Sequence, residues 1–509
     1  MDRRQFLGGA TGVSIAVSLP ADILASEIPS DLTELSASQL SAAIRQQHVT
    51  CVDVMRAYID RIHRYNPVYN AVVSMVAEES LLAQAGLADQ ALNNDEYWGW
   101  MHGMPHAVKD LAYAKGLETS EGSPIFAGTV ATDDDLHVAR MRAQGAIFIG
   151  KTNTPEFGLG SQTYNPVFGA TGCAYNPKLT SGGSSGGAAC GLAIHMLPVA
   201  DGSDMMGSLR NPAAFNNVIG FRPSQGRVPA LPKSDVYYQQ LSTDGPLGRT
   251  TEDVIRLLGT MAGYDSRSPL SLRDKIPEFD AFHKQDLSGI RIGWMGNYDG
   301  YLPTESGLIP LCEAALEVAV SAGAIVEGCQ PDYDMDRLWQ TWLTLRHWSN
   351  SSFQELYDDQ ETRRQLKPEA IWEYEGSIGM PALRVANAGT DRSDWYRALL
   401  SLFESYDILA LPSAQVFPFL KDIHWPKEID GKAMDTYHRW MEVVIGGTLA
   451  GLPVVSLPAG FDAAGRPMGM QFIGRMGDDK RVLEFAMAWE QVTDFLSQRP
   501  TMPEANQSS

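Results

Sequence analysis

The chain has 509 residues, of which 44% are hydrophobic and 20% are charged, a composition typical of a globular protein with enough apolar material for a large core. Its formal net charge of −21 argues against nucleic acid or an anionic membrane surface as a partner. Five cysteines without a C-x-x-C pair argue against a disulfide framework or a cysteine-rich zinc site, although a single disulfide stays open.

The N-terminus has the pattern of an export leader. An R-R-x-F-L motif at residues 3–7 precedes a mild apolar run at 13–19, which is too short to span a bilayer. We expect residues 1–25 to be a twin-arginine-type signal peptide, cleaved after Ala25, that sends the protein to the periplasm or beyond. A cytoplasmic protein is the alternative. Residues 26–509 would form the mature protein, which contains no stretch suited to membrane insertion.

Helical spacing of apolar residues predicts two helices within residues 36–65. Thr50 and Asp53 form a T-x-x-D capping box at the start of the second helix. Asn66 and Pro67 are expected to end it.

The next elements indicate an α/β architecture. A short buried strand is predicted at residues 105–108, directly before Lys109. An amphipathic helix at 136–142 and a buried strand at 146–149 follow. Alternation of helices and strands at these lengths is typical of α/β proteins.

The remainder of the chain continues this alternation. Residues 158–187 are rich in Gly, Ser, Thr, Asn and Pro and are predicted to form a loop. The predicted helices lie at residues 187–194, after Thr250 or Thr251, at 311–322, at 333–395 and in "KRVLEFAMAWEQV". The predicted strands lie in "MLPVADGSD", "LSGIRIGWMG", "AGAIVEG", "YDILALPSA" and "GLPVVSLPAGF".

Three segments have the composition of a catalytic site. They are "GGSSGG" at 182–187, "GSDMMGSLR" at 202–210, and the lysine that ends "HAVKD". A phosphate-binding P-loop would need G-K-[ST] after the glycines, and no lysine stands there. A nucleophile elbow, G-x-S-x-G, is matched twice but requires a preceding strand, and "YNPKLT" is expected to be a poor one. The third interpretation is a strained, close-packed turn around Ser184.

Taken together, these segments resemble the amidase signature family, and the resemblance covers nearly the whole mature chain. The combination is highly specific because several further segments occur in the family's order. They are "NPVYNAVVSM", "GKTNTPEF", "GATGCAYNP", "DGPLGRT" and "AGLPVVSLPAGFDAAGRPMGMQFIG". The resemblance implies an α/β fold with a single large α/β/α domain, in which helices flank a mixed, twisted central sheet.

The resemblance also implies a Ser–Ser–Lys triad without metal or cofactor. Ser208, in "MGSLR", corresponds to the nucleophile, Ser184 to the bridging serine that follows a cis peptide bond, and Lys109 to the base. A serine hydroxyl needs a neighbouring base to become a good nucleophile, and lysine can be that base only when burial lowers its pKa. The expected reaction is cleavage of a carboxylic amide to acid and amine or ammonia through an acyl-enzyme on Ser208.

Other residues of the two serine segments are given supporting roles. The resemblance implies that backbone N–H groups bind the oxyanion and that an ion pair braces the turn. Ser185 is expected to be a supporting hydrogen-bond donor. The expected oxyanion donors are Met205, Met206, Gly207 and Ser208, and the expected ion pair is Asp204 with Arg210. The family usually has Thr-Gly where Met205 and Met206 stand, so this chain departs from its relatives beside the nucleophile.

The substrate pocket is harder to predict. Helical spacing of tryptophans within 333–395 favours core packing, but in the family this variable region borders the substrate channel. The candidate pocket residues are Phe157, Gln162, Tyr164, Trp339 and Trp342. The expected partner is a small-molecule amide, and a homodimer is a further expectation because dimers are common among relatives.

Four alternatives remain at this point. The same triad could serve an esterase or carbamate hydrolase, or the scaffold could be a catalytically weakened binding protein. An α/β-hydrolase with Ser184 or Ser185 in an elbow would need a histidine partner. A subunit that transamidates charged tRNA is disfavoured by the export pattern and the negative charge. His102 and His106 could form a metal pair only on a helix, which Gly103 and Pro105 prevent.

Overall fold

The computed structural model describes residues 23–238, 240–283 and 286–503. The helices are α1 (Ala37–Arg45), α2 (Cys51–Tyr69), α3 (Glu78–Asn93), α4 (Leu136–Ala143), α5 (Gly186–Ala193), α6 (Arg210–Asn216), α7 (Thr251–Met261), α8 (Leu308–Ser321), α9 (Met335–Ser349), α10 (Gln354–Asp358), α11 (Gln360–Arg363), α12 (Pro368–Glu375), α13 (Ala382–Phe403), α14 (Ile445–Ala450) and α15 (Asp479–Val492). The strands are β1 (Val72–Val73), β2 (Pro105–Lys109), β3 (Ile147–Thr152), β4 (Tyr164–Asn165), β5 (Gly169–Ala170), β6 (Gly172–Cys173), β7 (Asn176–Thr180), β8 (Ala200–Asp204), β9 (Ile219–Arg222), β10 (Thr243–Gly248), β11 (Arg291–Trp294), β12 (Ile325–Gly328), β13 (Ile408–Pro412), β14 (Glu428–Ile429), β15 (Lys432–Ala433), β16 (Val454–Phe461) and β17 (Pro467–Ile473).

A central sheet of eight strands has the order β12-β11-β13-β17-β16-β9-β10-β8. Strand β11 runs parallel to β12 and β13, and the pairs from β13 to β8 are antiparallel. Helices pack on this sheet, among them α6 and α15 against β16. The predicted fold class, a mixed sheet flanked by helices, is confirmed.

A smaller sheet carries the predicted base. It has the order β1-β3-β2, with β2 parallel to β3, and β2 ends at Lys109. A buried hydrogen bond of 2.9 Å between His106 Nε2 and Asp201 Oδ1 connects β2 to β8 at the edge of the central sheet. Most of the buried apolar side chains form one cluster that includes residues of both sheets.

The end of α2 differs from the prediction. The Thr50 side chain caps the helix as expected, accepting a hydrogen bond from the Asp53 N–H, but the helix passes Pro67 and continues to Tyr69. It ends where Asn70 adopts the left-handed conformation, with φ of 53°. The Asn66 side chain accepts hydrogen bonds from two N–H groups beyond the helix, so it fixes the turn that follows without ending the helix.

Residues 158–187 contain more regular structure than the predicted loop. They form the short antiparallel pairs β4–β5 and β6–β7. The expectation that "YNPKLT" would be a poor strand was wrong, because its residues 176–180 form β7. Pro177 is tolerated there because β7 pairs with a single neighbour, so a missing N–H costs no ladder bond on a second side.

Other sequence predictions concern the termini and the membrane. The predicted leader falls almost entirely on residues 1–22, which lie outside the described residues. None of the helices in the described ranges combines the length and the hydrophobicity that crossing a bilayer requires.

Candidate active site

The glycine-rich segment brings two serines to the start of α5. Ser184 and Ser185 are buried, and the Gly183–Ser184 peptide bond is cis. The packing leaves no room for side chains at the neighbouring glycines. A Cβ at Gly182, where φ is 72°, would lie 2.5 Å from Asn211 Oδ1, and one at Gly187 would lie 2.4 Å from a backbone nitrogen. The small residues therefore allow the chain to pass close to its neighbours.

Lys109 lies against this turn. Its Nζ is 2.8 Å from Ser184 Oγ, 2.8 Å from Ser185 Oγ and 3.0 Å from Ser203 Oγ. The side chain is 1% exposed. Burial lowers the pKa of Lys109 to about 7, although the carboxylates of the nearby aspartates, Asp201 first among them, act in the opposite direction. An appreciable fraction of Lys109 is therefore neutral at physiological pH.

Asp201 positions the backbone that carries this lysine. Both of its carboxylate oxygens lie 3.3 Å from the Lys109 N–H, and one also contacts His106. Burial alone would raise the pKa of Asp201, but hydrogen bonds from His106 and His137 hold it well below its usual range. Asp201 is thus a fixed negative charge that ties β2 to β8.

Ser208 lies in the turn between β8 and α6 and is 6% exposed. Its hydroxyl makes no hydrogen bond with any described residue, while its carbonyl accepts one of 3.3 Å from the Ser185 N–H. The N–H of Gly207 donates to Asp204 Oδ1 at 2.9 Å. Gly207 is therefore not free to bind an oxyanion, and of the four expected donors Met205, Met206 and Ser208 remain.

The expected ion pair under this turn is present. Arg210 donates to Asp204 through Nε at 3.0 Å and through Nη2 at 2.9 Å, and both side chains are fully buried. Its other donors bond Gln471 and Thr448. Burial would raise the pKa of Asp204, but Arg210 and then Arg222 hold it well below the usual range. The turn is braced by a charged network with no access to solvent.

A cleft of about 100 Å³ opens onto these groups. Its lining includes the two predicted triad serines and both methionines, together with residues from α9 and from the segment before α14. The lining residues are Leu111, Phe157, Gly158, Leu159, Gly160, Ser161, Ser184, Ser203, Met205, Met206, Ser208, Ser242, Arg346, Asn350 and His438. A much larger cavity of about 1120 Å³ contains none of the predicted catalytic residues.

One of the five candidate pocket residues, Phe157, lines the cleft. Gln162 is buried beside Gly183, and Tyr164 stacks on His424 at a ring distance of 5.0 Å. Trp339 and Trp342 are at most 1% exposed, as the core-packing interpretation predicts. These four side chains lie behind or beside the cleft and do not line it.

Sequence reasoning missed three polar residues of the site. Ser203 contacts the amine of Lys109, and Arg346 and His438 line the cleft. Ser203 follows Gly202 within a quoted segment, so its place beside Ser208 was visible in principle. Arg346 and His438 belong to no motif, and the sequence contains no signal that would bring them to Ser208.

Comparison with known proteins decides the family. The Amidase family model matches residues 53–483, a span that includes every residue of the proposed triad. The chain belongs to the amidase signature family. Its members hydrolyse amide C–N bonds, and the predicted recognition is confirmed.

Relatives of this amidase signature protein have different activities. It is 29% identical over 471 residues to an acylamidase of Rhodococcus erythropolis, across 92% of this chain and 97% of that protein. It is 31% identical over 494 residues to a glutamyl-tRNA(Gln) amidotransferase subunit from Thermosynechococcus vestitus, across 91% and 99%. A solved bacterial aryl acylamidase of the amidase signature family superposes with a TM-score of 0.85 at 27% identity, covering 92% of this chain and 99% of that one.

Proposed function

We propose that the protein hydrolyses a carboxylic amide through an acyl-enzyme on Ser208, with Lys109 as the base and Ser184 between them. The observation that carries this proposal is the 2.8 Å contact between the buried amine of Lys109 and Ser184 Oγ, in a cleft that Ser208 also lines. The hydroxyls of both Ser184 and Ser185 contact this lysine. This favours a lysine-based triad over an elbow that relies on histidine.

The contacts of Lys109 suit a neutral amine. A neutral amine has two N–H donors and one lone pair, and three serine hydroxyls surround Nζ. Two of these hydroxyls accept hydrogen bonds from the amine, and the third, on Ser184, donates to the lone pair. In this arrangement Ser184 Oγ is ready to accept a proton from Ser208.

The proposed reaction conserves protons at each step. Ser208 Oγ attacks the carbonyl carbon while its proton passes to Ser184, whose own proton passes to Lys109. The C–N bond then breaks, and the proton returns from Lys109 through Ser184 to the leaving nitrogen. Water repeats the sequence on the acyl-enzyme, releasing the acid and restoring Ser208.

Backbone groups are proposed to stabilise the oxyanion. The N–H groups of Met205, Met206 and Ser208 lie in the turn that Asp204 and Arg210 brace. Preorganised backbone donors cost no reorganisation when the charge develops. Because these donors do not depend on side-chain identity, the two methionines leave this role intact.

Labelling with a fluorophosphonate tests whether Ser208 is the nucleophile. We expect wild type to be modified at Ser208, detected by peptide mass spectrometry, and Ser208→Ala to remain unmodified because the attacking oxygen is gone. Ser271→Ala is a control, because Ser271 is buried in a loop away from the cleft. It should label as wild type does. Modification at Ser184 or Ser185 in wild type would contradict the proposed triad.

The pH dependence of labelling tests the base. Lys109 can accept a proton only when neutral, and burial lowers its pKa to about 7. We expect the labelling rate to rise about tenfold per pH unit below that value and to level above it. The pseudo-first-order rate is measured between pH 5 and 9. A flat profile, or one that falls with pH, would exclude Lys109 as the base.

Two further proposals concern the whole protein. We propose that residues 1–25 direct export through a twin-arginine signal, and that the mature chain forms a homodimer. The first rests on the R-R-x-F-L motif and the second on the family resemblance.

A further inference from the structure

The catalytic cleft contains polar groups without partners. Neither ring nitrogen of His438, nor Nδ2 of Asn350, has a hydrogen-bond partner among the described residues. Both side chains line the cleft with Ser208, and their residues are 1% and 8% exposed. Buried polar groups in folded proteins are normally paired, because leaving one unpaired costs about 1–3 kcal/mol. These groups are therefore placed to pair with a ligand.

The His438 ring is held in place by aromatic neighbours. Its centroid lies 4.5 Å from Tyr437, 5.3 Å from Trp339 and 5.7 Å from Trp372. Burial, and then the charge of Arg346, lower the pKa of His438 well below its usual value. The ring is thus a neutral imidazole that offers one N–H donor and one acceptor nitrogen at a fixed position.

Arg346 adds a third available group. Its Nε and Nη2 bond Glu373 and the Tyr437 hydroxyl. The remaining nitrogen, Nη1, faces the sulfur of Met205 at 3.3 Å. A thioether is a weak acceptor, so an oxygen atom would bind this N–H more strongly. Met205 thus connects the position where this chain departs from its family to the unpaired donors.

Charge balance indicates which oxygen fits. The Arg346 cation is already paired with the buried Glu373 carboxylate, and His438 is neutral, so the cluster has little net positive charge. Burying a carboxylate there would leave it without a full counter-charge. A carbonyl oxygen accepts from the same donors without that cost.

We infer that Arg346, Asn350 and His438 form a subsite that binds a second carbonyl oxygen on the amide substrate, next to the scissile bond. This inference rests on the proposed function and assigns it a substrate class, amides that carry a further carbonyl group. The cleft of about 100 Å³ restricts that group to a position close to the reacting carbon.

Matched amides test the subsite. In one pair the acyl chain carries either a ketone or a methyl branch of the same shape, as in 4-oxopentanamide and 4-methylpentanamide. In the other pair the amine carries the same difference. We expect kcat/KM in at least one pair to favour the ketone by about 10–100-fold, because the apolar isostere leaves the buried donors unpaired. The corresponding carboxylate should be hydrolysed less well than the ketone.

Two near-isosteric variants assign the preference to these residues. His438→Phe and Asn350→Leu should lower the ketone-to-isostere ratio several-fold, while fluorophosphonate labelling of Ser208 confirms that each variant remains folded. His424→Phe is the matched control, since His424 is exposed and stacks on Tyr164 outside the cleft. It should leave the ratio unchanged.

The outcomes separate this inference from the proposed function. Labelled wild type with equal rates in both pairs, or with no turnover of any member, overturns the subsite. So does a ratio that survives both variants, and a preference for the carboxylate overturns the assignment to a carbonyl. Wild type that neither labels at Ser208 nor hydrolyses an amide overturns the proposed function itself.

Discussion

Lys109→Ala is expected to lower the rate of acylation by on the order of 10²–10⁴-fold while the protein remains folded. The substitution removes the amine that contacts Ser184, so no group takes the proton from Ser208. The measurement is the rate of fluorophosphonate labelling at Ser208, with circular dichroism to confirm the fold. Labelling at the wild-type rate would disprove the relay.

Lys151→Met is the matched control for this experiment. Lys151 is also a buried lysine, and it lies on β3, the strand that pairs with β2. Its amine bonds the Ala112 carbonyl and the Thr119 hydroxyl instead of the catalytic serines. A folded Lys151→Met should therefore keep its labelling rate, which would show that the effect of Lys109→Ala does not come from losing any buried ammonium.

Arg210→Met is expected to destabilise the fold by about 3–5 kcal/mol, because it leaves the Asp204 carboxylate buried with a weakened counter-charge. It also removes hydrogen bonds to Gln471 and Thr448, which connect the Ser208 turn to β17 and α14. Thermal unfolding followed by circular dichroism measures the effect. An unchanged transition would mean that the network does not brace the turn.

The control for that variant is Arg267→Met. Arg267 also pairs with an aspartate, Asp265, at 2.8 Å, but its side chain is 68% exposed. Exposed ion pairs contribute about 0–1 kcal/mol, so this substitution should leave the unfolding transition close to that of wild type. A similar loss in both variants would show that burial of the Asp204–Arg210 pair is not the cause.

The catalytic centre could be predicted from sequence because its chemistry sits in contiguous motifs. "GGSSGG", "GSDMMGSLR" and "HAVKD" contain Ser184, Ser208 and Lys109, and the family resemblance relates them before any distance is known. The structure brings Lys109 to Ser184 and both serines to one cleft. Local sequence also predicted the Asp204–Arg210 pair, since the two residues flank a single turn.

The polar subsite could not be predicted in this way. Arg346 and His438 are separated from Ser208 by more than a hundred residues of chain, and neither stands in a pattern that suggests a ligand. The tryptophans near Arg346 gave the stronger signal, yet helical spacing reports burial without saying which neighbour faces a cavity. Position in the cleft depends on how α9 packs, which is a tertiary property.

Several strands were missed for a related reason. β9, β10 and β17 lie in segments with glycine, proline or arginine, such as "TDGPLG", whose local preferences do not favour a strand. They are strands because neighbours far along the chain supply their hydrogen bonds, as β16 does for both β9 and β17. Preferences of single residues cannot register such long-range pairing.

The bond between His106 and Asp201 has a consequence for how activity arises during folding. Lys109 ends a strand of the small sheet, whereas Ser208 follows a strand at the edge of the large one, so the base and the nucleophile belong to separately hydrogen-bonded halves. Neither half contains a working site by itself. Any species in which one sheet has formed and the other has not is chemically silent, and turnover reports only on molecules whose two halves have docked.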